Sequence, residues 1–240
     1  MEHAEYRRMF EAEDKYWWFV SRRRLALRLL QNYEFPDGPI LDLGCGTGAA
    51  MIELEKVAPT TGLDMSDEAL RLAQTRGLTR LVRGDAQALP WPRDSFAAVV
   101  TLDTLEHVPD DGLAMREIAR VLRPGGLLIM NVPAFPFLWG PHDRALMHQR
   151  RYHRSEVVER LRAAGLEVAR ATYSVFLLFP LIAAQRLLNK GGSGRVTLPK
   201  VSDRRNSQLI ALHEWEGSLL QRVRLPWGSS VTAVARKPST

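Results

Sequence analysis

Cysteine is almost absent from this chain. Cys45 stands alone among 240 residues, so no disulfide can staple the fold, and a reducing compartment, the cytoplasm, is expected. Long hydrophobic runs are missing too. The longest, Val175 to Ala184, is ten residues broken by Pro180, whereas a bilayer-spanning helix takes roughly 17 or more. No transmembrane span is expected. The stretch 175–188 reads either as a buried packing helix or as a surface for peripheral contact with a membrane or lipid substrate. The first residues, Met1-Glu2-His3-Ala4-Glu5, are polar and acidic, so no secretory signal is expected. Internal repeats are lacking, and low complexity is confined to Gly191-Gly192-Ser193-Gly194. What is present is ordinary for a globular protein: 45% hydrophobic and 25% charged residues, in a chain long enough for one well-buried core.

Charge is unbalanced, with a net of +6 and a pI near 9.8. The arginines gather at Arg22-Arg23-Arg24, at Arg150-Arg151 and around Arg204-Arg205. Such a field attracts phosphates, anionic lipids and acidic metabolites alike, and no nucleic-acid-binding module accompanies it. Nucleic acid is not the expected partner. Nothing in the sequence sets an oligomeric state.

Residues 2–32 read as one helix, carrying Tyr6, Met9, Phe10, Trp17, Trp18, Leu25, Leu29 and Leu30 at helical spacings. After Pro36-Asp37-Gly38 the pattern alternates. Strands are expected at 39–43, 60–64, 80–83, 96–102, 126–132 and 166–174, with helices at 47–56, 66–75, 110–122 and 154–164. Such alternation predicts a doubly wound α/β fold, a parallel sheet with helices on both faces. The tail breaks the rhythm. Residues 175–190 and 206–224 read as helical, Lys190 to Lys200 as a glycine-rich mobile stretch, and Ser230 to Ala235 as a last strand returning beside 166–174. The whole reads as one domain, 1–240: a helical cap (1–35), a core (36–174), a helical insertion (175–228) and a last strand with its tail (229–240).

The densest information lies in Leu41-Asp42-Leu43-Gly44-Cys45-Gly46-Thr47-Gly48. An apolar strand ends in a glycine-rich turn at a helix start, where backbone N–H groups can approach a ligand closely. Two classes of ligand use such a turn. A dinucleotide would bring its pyrophosphate here, and Gly44-x-Gly46-x-x-Ala49 fits the looser dinucleotide fingerprint. Asp42 repels that phosphate. The same carboxylate attracts the ammonium and sulfonium of S-adenosylmethionine (SAM), which is therefore the expected cofactor. Asp64 ends the second strand, where an acid can accept from both ribose hydroxyls of an adenosine. Asp85, ending the third, can accept from the adenine amine or cap a helix. Asp103, Glu106 and His107 follow the fourth, and all of these marks fall at the carboxyl ends of strands, where such sheets bind ligands.

Taken together, LDLGCGTG (41–48), GLDMS (62–66), GDAQALPW (84–91), DSFAAVVTLDTLEHV (94–108) and LRPGGLLIMNVP (122–133) resemble the class I SAM-dependent methyltransferases, in particular the methyltransferase type 11 group. The likeness covers roughly residues 38–135. It implies a Rossmann-like seven-stranded sheet with an antiparallel last strand, and SAM contacts at Asp42, Gly44, Gly46, Asp64, Met65, Asp85, Ala86 and Asp103. Cys45 lies within that turn as a small residue that fits, not as a nucleophile. The flanks resemble a narrower bacterial subgroup through Tyr16 to Phe19, through His142, Asp143, His148, Arg150, Arg151 and Tyr152, and through Leu225 to Val231. That subgroup is associated with glycan and secondary metabolism.

Methyl transfer from SAM to a small or medium-sized acceptor (a metabolite, natural product, or glycan or lipid precursor) is the expected function. The alternatives are methylation of RNA or protein, or SAM binding without catalysis. The sulfonium is already a strong electrophile, so alignment in a dry site carries most of the work. Should the acceptor need deprotonation, His107, His142 and His148 are the candidate bases, in that order. The Trp17-Trp18 pair either packs in the core or, together with Tyr16, closes over the methionine end of SAM as an aromatic lid. Arg150 and Arg151 either grip an acidic group or lie on the surface. His142, Asp143 and His148 are too few for a closed metal site, and no metal is expected.

Overall fold

A computed structural model describes residues 3–188 and 199–239, with side chains from Tyr6 onward. Seven strands form one sheet in the order β3-β2-β1-β4-β5-β7-β6. They are β1 (Ile40–Leu43), β2 (Thr60–Asp64), β3 (Leu81–Arg83), β4 (Phe96–Leu102), β5 (Leu122–Pro133), β6 (Glu167–Ser174) and β7 (Ser230–Arg236). β1 to β5 run parallel. β7 is antiparallel to both β5 and β6, with Asn131 and Thr172 flanking Thr232. The seven-stranded sheet with its antiparallel last strand is thus present, and β6 and β7 form the expected returning pair.

Period-two alternation decides which residues face which helices. On one face Leu41, Leu43, Val99, Leu128 and Met130 pack against Met115 and Ile118 of α5 (Asp111–Val121) and Val157 and Leu161 of α7 (Arg154–Ala163). On the other, Ile40, Ala98, Val100, Leu127 and Ile129 meet Ala26, Leu29 and Leu30 of α2 (Trp17–Gln31). With both faces covered, β1 is buried along its whole length, as parallel strands require. α3 (Ala49–Leu54) follows the glycine turn. α4 (Asp67–Thr75) starts where Ser66 accepts from the Ala69 N–H, with Asp67 and Glu68 in its first turn.

The single helix expected over 2–32 is two, α1 (His3–Ala12) and α2, with a break at 13–16. Helical spacing of apolar residues continues across it, but long-range polar contacts hold it open. Asn206 accepts from the Trp17 N–H at 2.8 Å and donates to the Lys15 carbonyl at 2.8 Å. Glu13 turns inward to accept from the Thr47 hydroxyl and, at 2.8 Å, from Arg76. α1 is thereby latched over the glycine turn. α6 (Pro141–Ala145) and two 3-10 turns, Leu105–His107 and Pro136–Leu138, lie where no element is expected. The tail helices are α8 (Phe179–Leu188) and α9 (Asp203–Leu220). Apart from Pro199 and Lys200, the glycine-rich stretch 190–200 lies outside the described residues.

Candidate SAM and acceptor site

The carboxyl ends of β1, β2 and β4 open into a cavity of about 1090 Å³. The sheet order reverses between β1 and β4, the switch point where such sheets bind ligands. Tyr6, Met9, Tyr16 and Trp17 roof the cavity, and His142, Ile182 and Arg186 close its far side. Of the site residues expected from sequence, Tyr16, Trp17, Gly44, Gly46, Asp64, Met65, Asp85, Ala86, Asp103, His107, His142 and His148 all line it. Asp42 and Cys45 do not.

At the β1 end the backbone shapes the wall. Gly44 sits at φ +76°, and a Cβ there would fall 2.1 Å from the Thr104 hydroxyl oxygen, so no other residue fits. The Gly44 and Cys45 N–H groups donate to the Leu63 carbonyl at 2.8 and 3.0 Å, tying the turn to β2. The Gly46 N–H donates to one Asp64 oxygen at 2.9 Å and the Ser66 N–H to the other at 2.8 Å. The Asp64 carboxylate is therefore fixed before any ligand arrives. Burial raises its pKa, and these two N–H bonds partly offset the rise.

The two residues that miss the cavity point the other way. Cys45 turns onto Gly62, where a Cβ would lie 2.8 Å from its sulfur, and burial pushes its thiol up. Asp42 is buried behind the turn with one carboxylate oxygen unpartnered. Burial, with the charges of Asp64 and Glu13, pushes it up to about 7. An unpaired buried carboxylate calls for a cation. The Asp64 acceptors, which do line the cavity, fit the ribose of a nucleoside, and the negative charge of this end opposes a pyrophosphate.

Asp85 and Asp103 already have partners. Gln87 donates to Asp85 from its backbone at 2.9 Å and from its side chain at 3.1 and 3.2 Å. Asp103, in left-handed backbone at φ +52°, receives the Asn131 amide at 2.8 Å on one oxygen and pairs with Arg22 through the other. Sequence reasoning overlooked that Arg22 reaches across the site from α2.

Histidines and a carboxylate line the opposite wall. Asp143 is fully buried and accepts from His148 Nδ1 at 3.0 Å, Arg151 Nε at 2.8 Å, Arg186 at 2.9 Å and the Gly140 N–H at 2.9 Å. Burial alone would raise its pKa, but the His148 bond and the Arg151 and Arg186 guanidiniums hold it well below the usual range. His107 stands edge-on to His148, ring centroids 4.7 Å apart. Burial first, then His148, lowers His107 to about 4; burial first, then Arg186, does the same for His142. Glu106, one residue before His107, is fully buried with both oxygens unpartnered, and burial pushes it up to about 8. Sequence reasoning placed Glu106 near the site but gave it no role.

Arg150 and Arg151 do not present a free fork to an acidic ligand. Arg150 pairs with Asp111 at 2.9 Å, and Arg151 is buried between Asp143 and the Ala134 carbonyl. Trp17 lines the cavity and also stacks on His213 of α9, centroids 5.1 Å apart and planes 6° from parallel.

Against known proteins, a family model described as a methyltransferase domain matches residues 41–130, the span from the glycine turn into β5. The segment 41–130 is thus similar to a methyltransferase domain. Demethylmenaquinone methyltransferase of Staphylococcus aureus is 40% identical over 106 residues, 41% of this chain and 44% of that protein. The match thus spans less than half the length of the curated relative. Among solved structures, a chain of the complex between the Haloferax volcanii Trm112 methyltransferase activator and a methyltransferase aligns over 98% of this chain and 94% of its own, at 21% identity and a TM-score of 0.64. Phosphoethanolamine N-methyltransferase 2 of Haemonchus contortus in complex with S-adenosyl-L-methionine aligns over 97% of this chain and 60% of its own, at 15% identity and a TM-score of 0.59. At such identities these two likenesses establish the Rossmann-like fold alone. The matched methyltransferase domain and the SAM-bound neighbour support SAM as the co-substrate. Among the described residues no helix is long and apolar enough to cross a membrane.

Proposed function

We propose that the chain, acting as one domain over 1–240, transfers a methyl group from SAM to a small or medium-sized acceptor in the cytoplasm. The observation that carries this reading is one cavity with two chemically different walls. Carboxylates and a glycine turn form one; the imidazoles of His107, His142 and His148 form the other.

On this reading Asp64 holds the ribose hydroxyls, Asp85 takes the adenine amine in place of Gln87, and the turn at Gly44 and Gly46 lies along the nucleoside. Asp42 draws the ligand's positive charge from behind the turn. Tyr16 and Trp17 exclude water above the reacting atoms, where SAM supplies an electrophilic methyl group. The chain itself must align the acceptor and, where needed, take its proton. The geometry favours a different order of bases from the one the sequence suggests. A pKa near 4 leaves His107 and His142 neutral but weakly basic, whereas His148 is oriented by Asp143 through Nδ1. That backing supports His148 as the proton acceptor through Nε2.

RNA methylation loses support from the arginines. Arg22 pairs with Asp103, Arg23 with Glu53, Arg24 with Glu214, Arg150 with Asp111 and Arg151 with Asp143, so two of the three basic clusters serve the fold. Isothermal titration tests the first half: SAM should bind at micromolar to sub-millimolar concentration, and no heat at millimolar SAM ends the reading. Methyl-labelled SAM with fractionated small-molecule extract tests the second. Label appearing in RNA or protein instead would favour those acceptors, and SAM binding without any transfer would favour a regulatory role.

A further inference from the structure

We propose that Glu106, His107 and His148 form a binding site for a first-row divalent metal ion, of the zinc type, in the cavity wall opposite the glycine turn. One ligand atom from each lies within 4.8 Å of the others. Small side-chain rotations bring such a set within reach of one ion with bonds of ~2 Å.

Three further observations support a built site rather than chance proximity. The Glu106 carboxylate is fully buried, lines the cavity and has no partner on either oxygen. Buried carboxylates are normally hydrogen-bonded, ion-paired or metal-bound. His148 donates its Nδ1 proton to Asp143 at 3.0 Å, which leaves Nε2 as the ligating atom. A carboxylate behind a histidine in this way is the usual support of a metal-binding imidazole. The two segments are also pinned together. The Gln149 N–H donates to the Glu106 carbonyl at 2.7 Å, and the Gln149 side chain donates to the His107 carbonyl at 3.1 Å.

Two imidazoles and one carboxylate suit zinc or ferrous iron over calcium or magnesium, and leave coordination positions open toward the cavity. Arg22 pairs with Asp103, and Arg151 and Arg186 pair with Asp143. Arg22 and Arg151 act on Glu106 through their charge without a hydrogen bond to it, and Arg22 Nε is itself unpartnered. As a consequence that rests on the proposed methyl transfer, an ion here would ligate the acceptor's hydroxyl or amine through an open position. With its Nε2 held by the ion, His148 would then not take the acceptor's proton, and the ion would instead acidify that group so that its proton leaves to solvent. Acceptors with a ligating oxygen or nitrogen are then preferred.

The test uses the full chain, freed of any histidine tag and of chelator. Calorimetry with Zn²⁺, and visible absorption with Co²⁺, should each give one equivalent per chain. Glu106→Gln and His148→Ala should weaken binding at least tenfold, while His153→Ala should not. Glu106→Gln removes the ionisable group and keeps the shape, so it retains the fold; far-ultraviolet circular dichroism checks that. Absence of a stoichiometric site for either ion overturns the proposal, as does binding that both variants leave unchanged. Metal counting is independent of SAM: a chain that binds zinc but not SAM would sink the proposed function alone.

Discussion

The two walls of the cavity are held by different physics. At the glycine turn, Asp64 is positioned by backbone N–H groups of Gly46 and Ser66. Across the cavity, Asp143 is held mainly by side chains: His148, Arg151 and Arg186, the last 43 positions away. Backbone donors come with the fold and do not titrate. Side-chain donors must themselves be desolvated and aimed, so that wall stands or falls as a network.

The sharpest way to break this contrast is Asp143→Ala. It strands two guanidiniums, one fully and one mostly buried, and breaking a buried pair in this way costs about 3–5 kcal/mol. A urea titration should show that loss; a change below about 1 kcal/mol would mean that the network is ornamental. Asp64→Ala should do the reverse, moving the unfolding midpoint less but losing two charge-assisted hydrogen bonds to ribose. At about 1.5 kcal/mol each, SAM affinity should fall on the order of 100-fold by calorimetry.

Legibility in the sequence follows the same division. β1 to β5 and the glycine turn could be read because each strand, turn and cap is specified by neighbours in the chain: Gly44 by its own backbone, Asp64 by its place at a strand end, Ser66 by the helix that it caps. The seventh strand could be anticipated from alternation at 230–235. The break between α1 and α2 could not, because Asn206 and Thr47 cause it from a distance. Glu106 was hidden for a similar reason. A glutamate after a strand reads as solvated, and only the packing of the 134–152 segment buries it. Its signal in the sequence is its place between the fourth strand and His107.

Acidity offers a smaller test of the first wall. Asp42 carries a pKa near 7 when the site is unliganded, raised above that of the unfolded chain. Its contribution to stability is therefore full below about pH 4 and is lost as pH rises through 7. A bound cation prefers the ionised form. SAM should thus bind roughly tenfold more tightly at pH 7 than at pH 5.5, while the melting temperature without SAM drifts down over that range. Asp42→Asn should flatten both trends. If the affinity trend survives in that variant, Asp42 does not face the positive charge of the ligand.

The smallest expected effect lies where the two walls share a roof. Trp17 stacks flat on His213, and burial holds His213 to about 4, so the ring is neutral at physiological pH and the contact is one of two neutral aromatics. A double-mutant cycle with Trp17→Leu and His213→Leu, read by urea unfolding, should give a coupling of about 0.5–1.5 kcal/mol. That coupling should stay level from pH 5.5 to 8. Growth toward the acidic end would mean that His213 becomes charged beneath the indole and that a cation–π contact ties the cap to α9. The roof would then share the pH sensitivity of the titratable walls, when its stacking geometry gives it none.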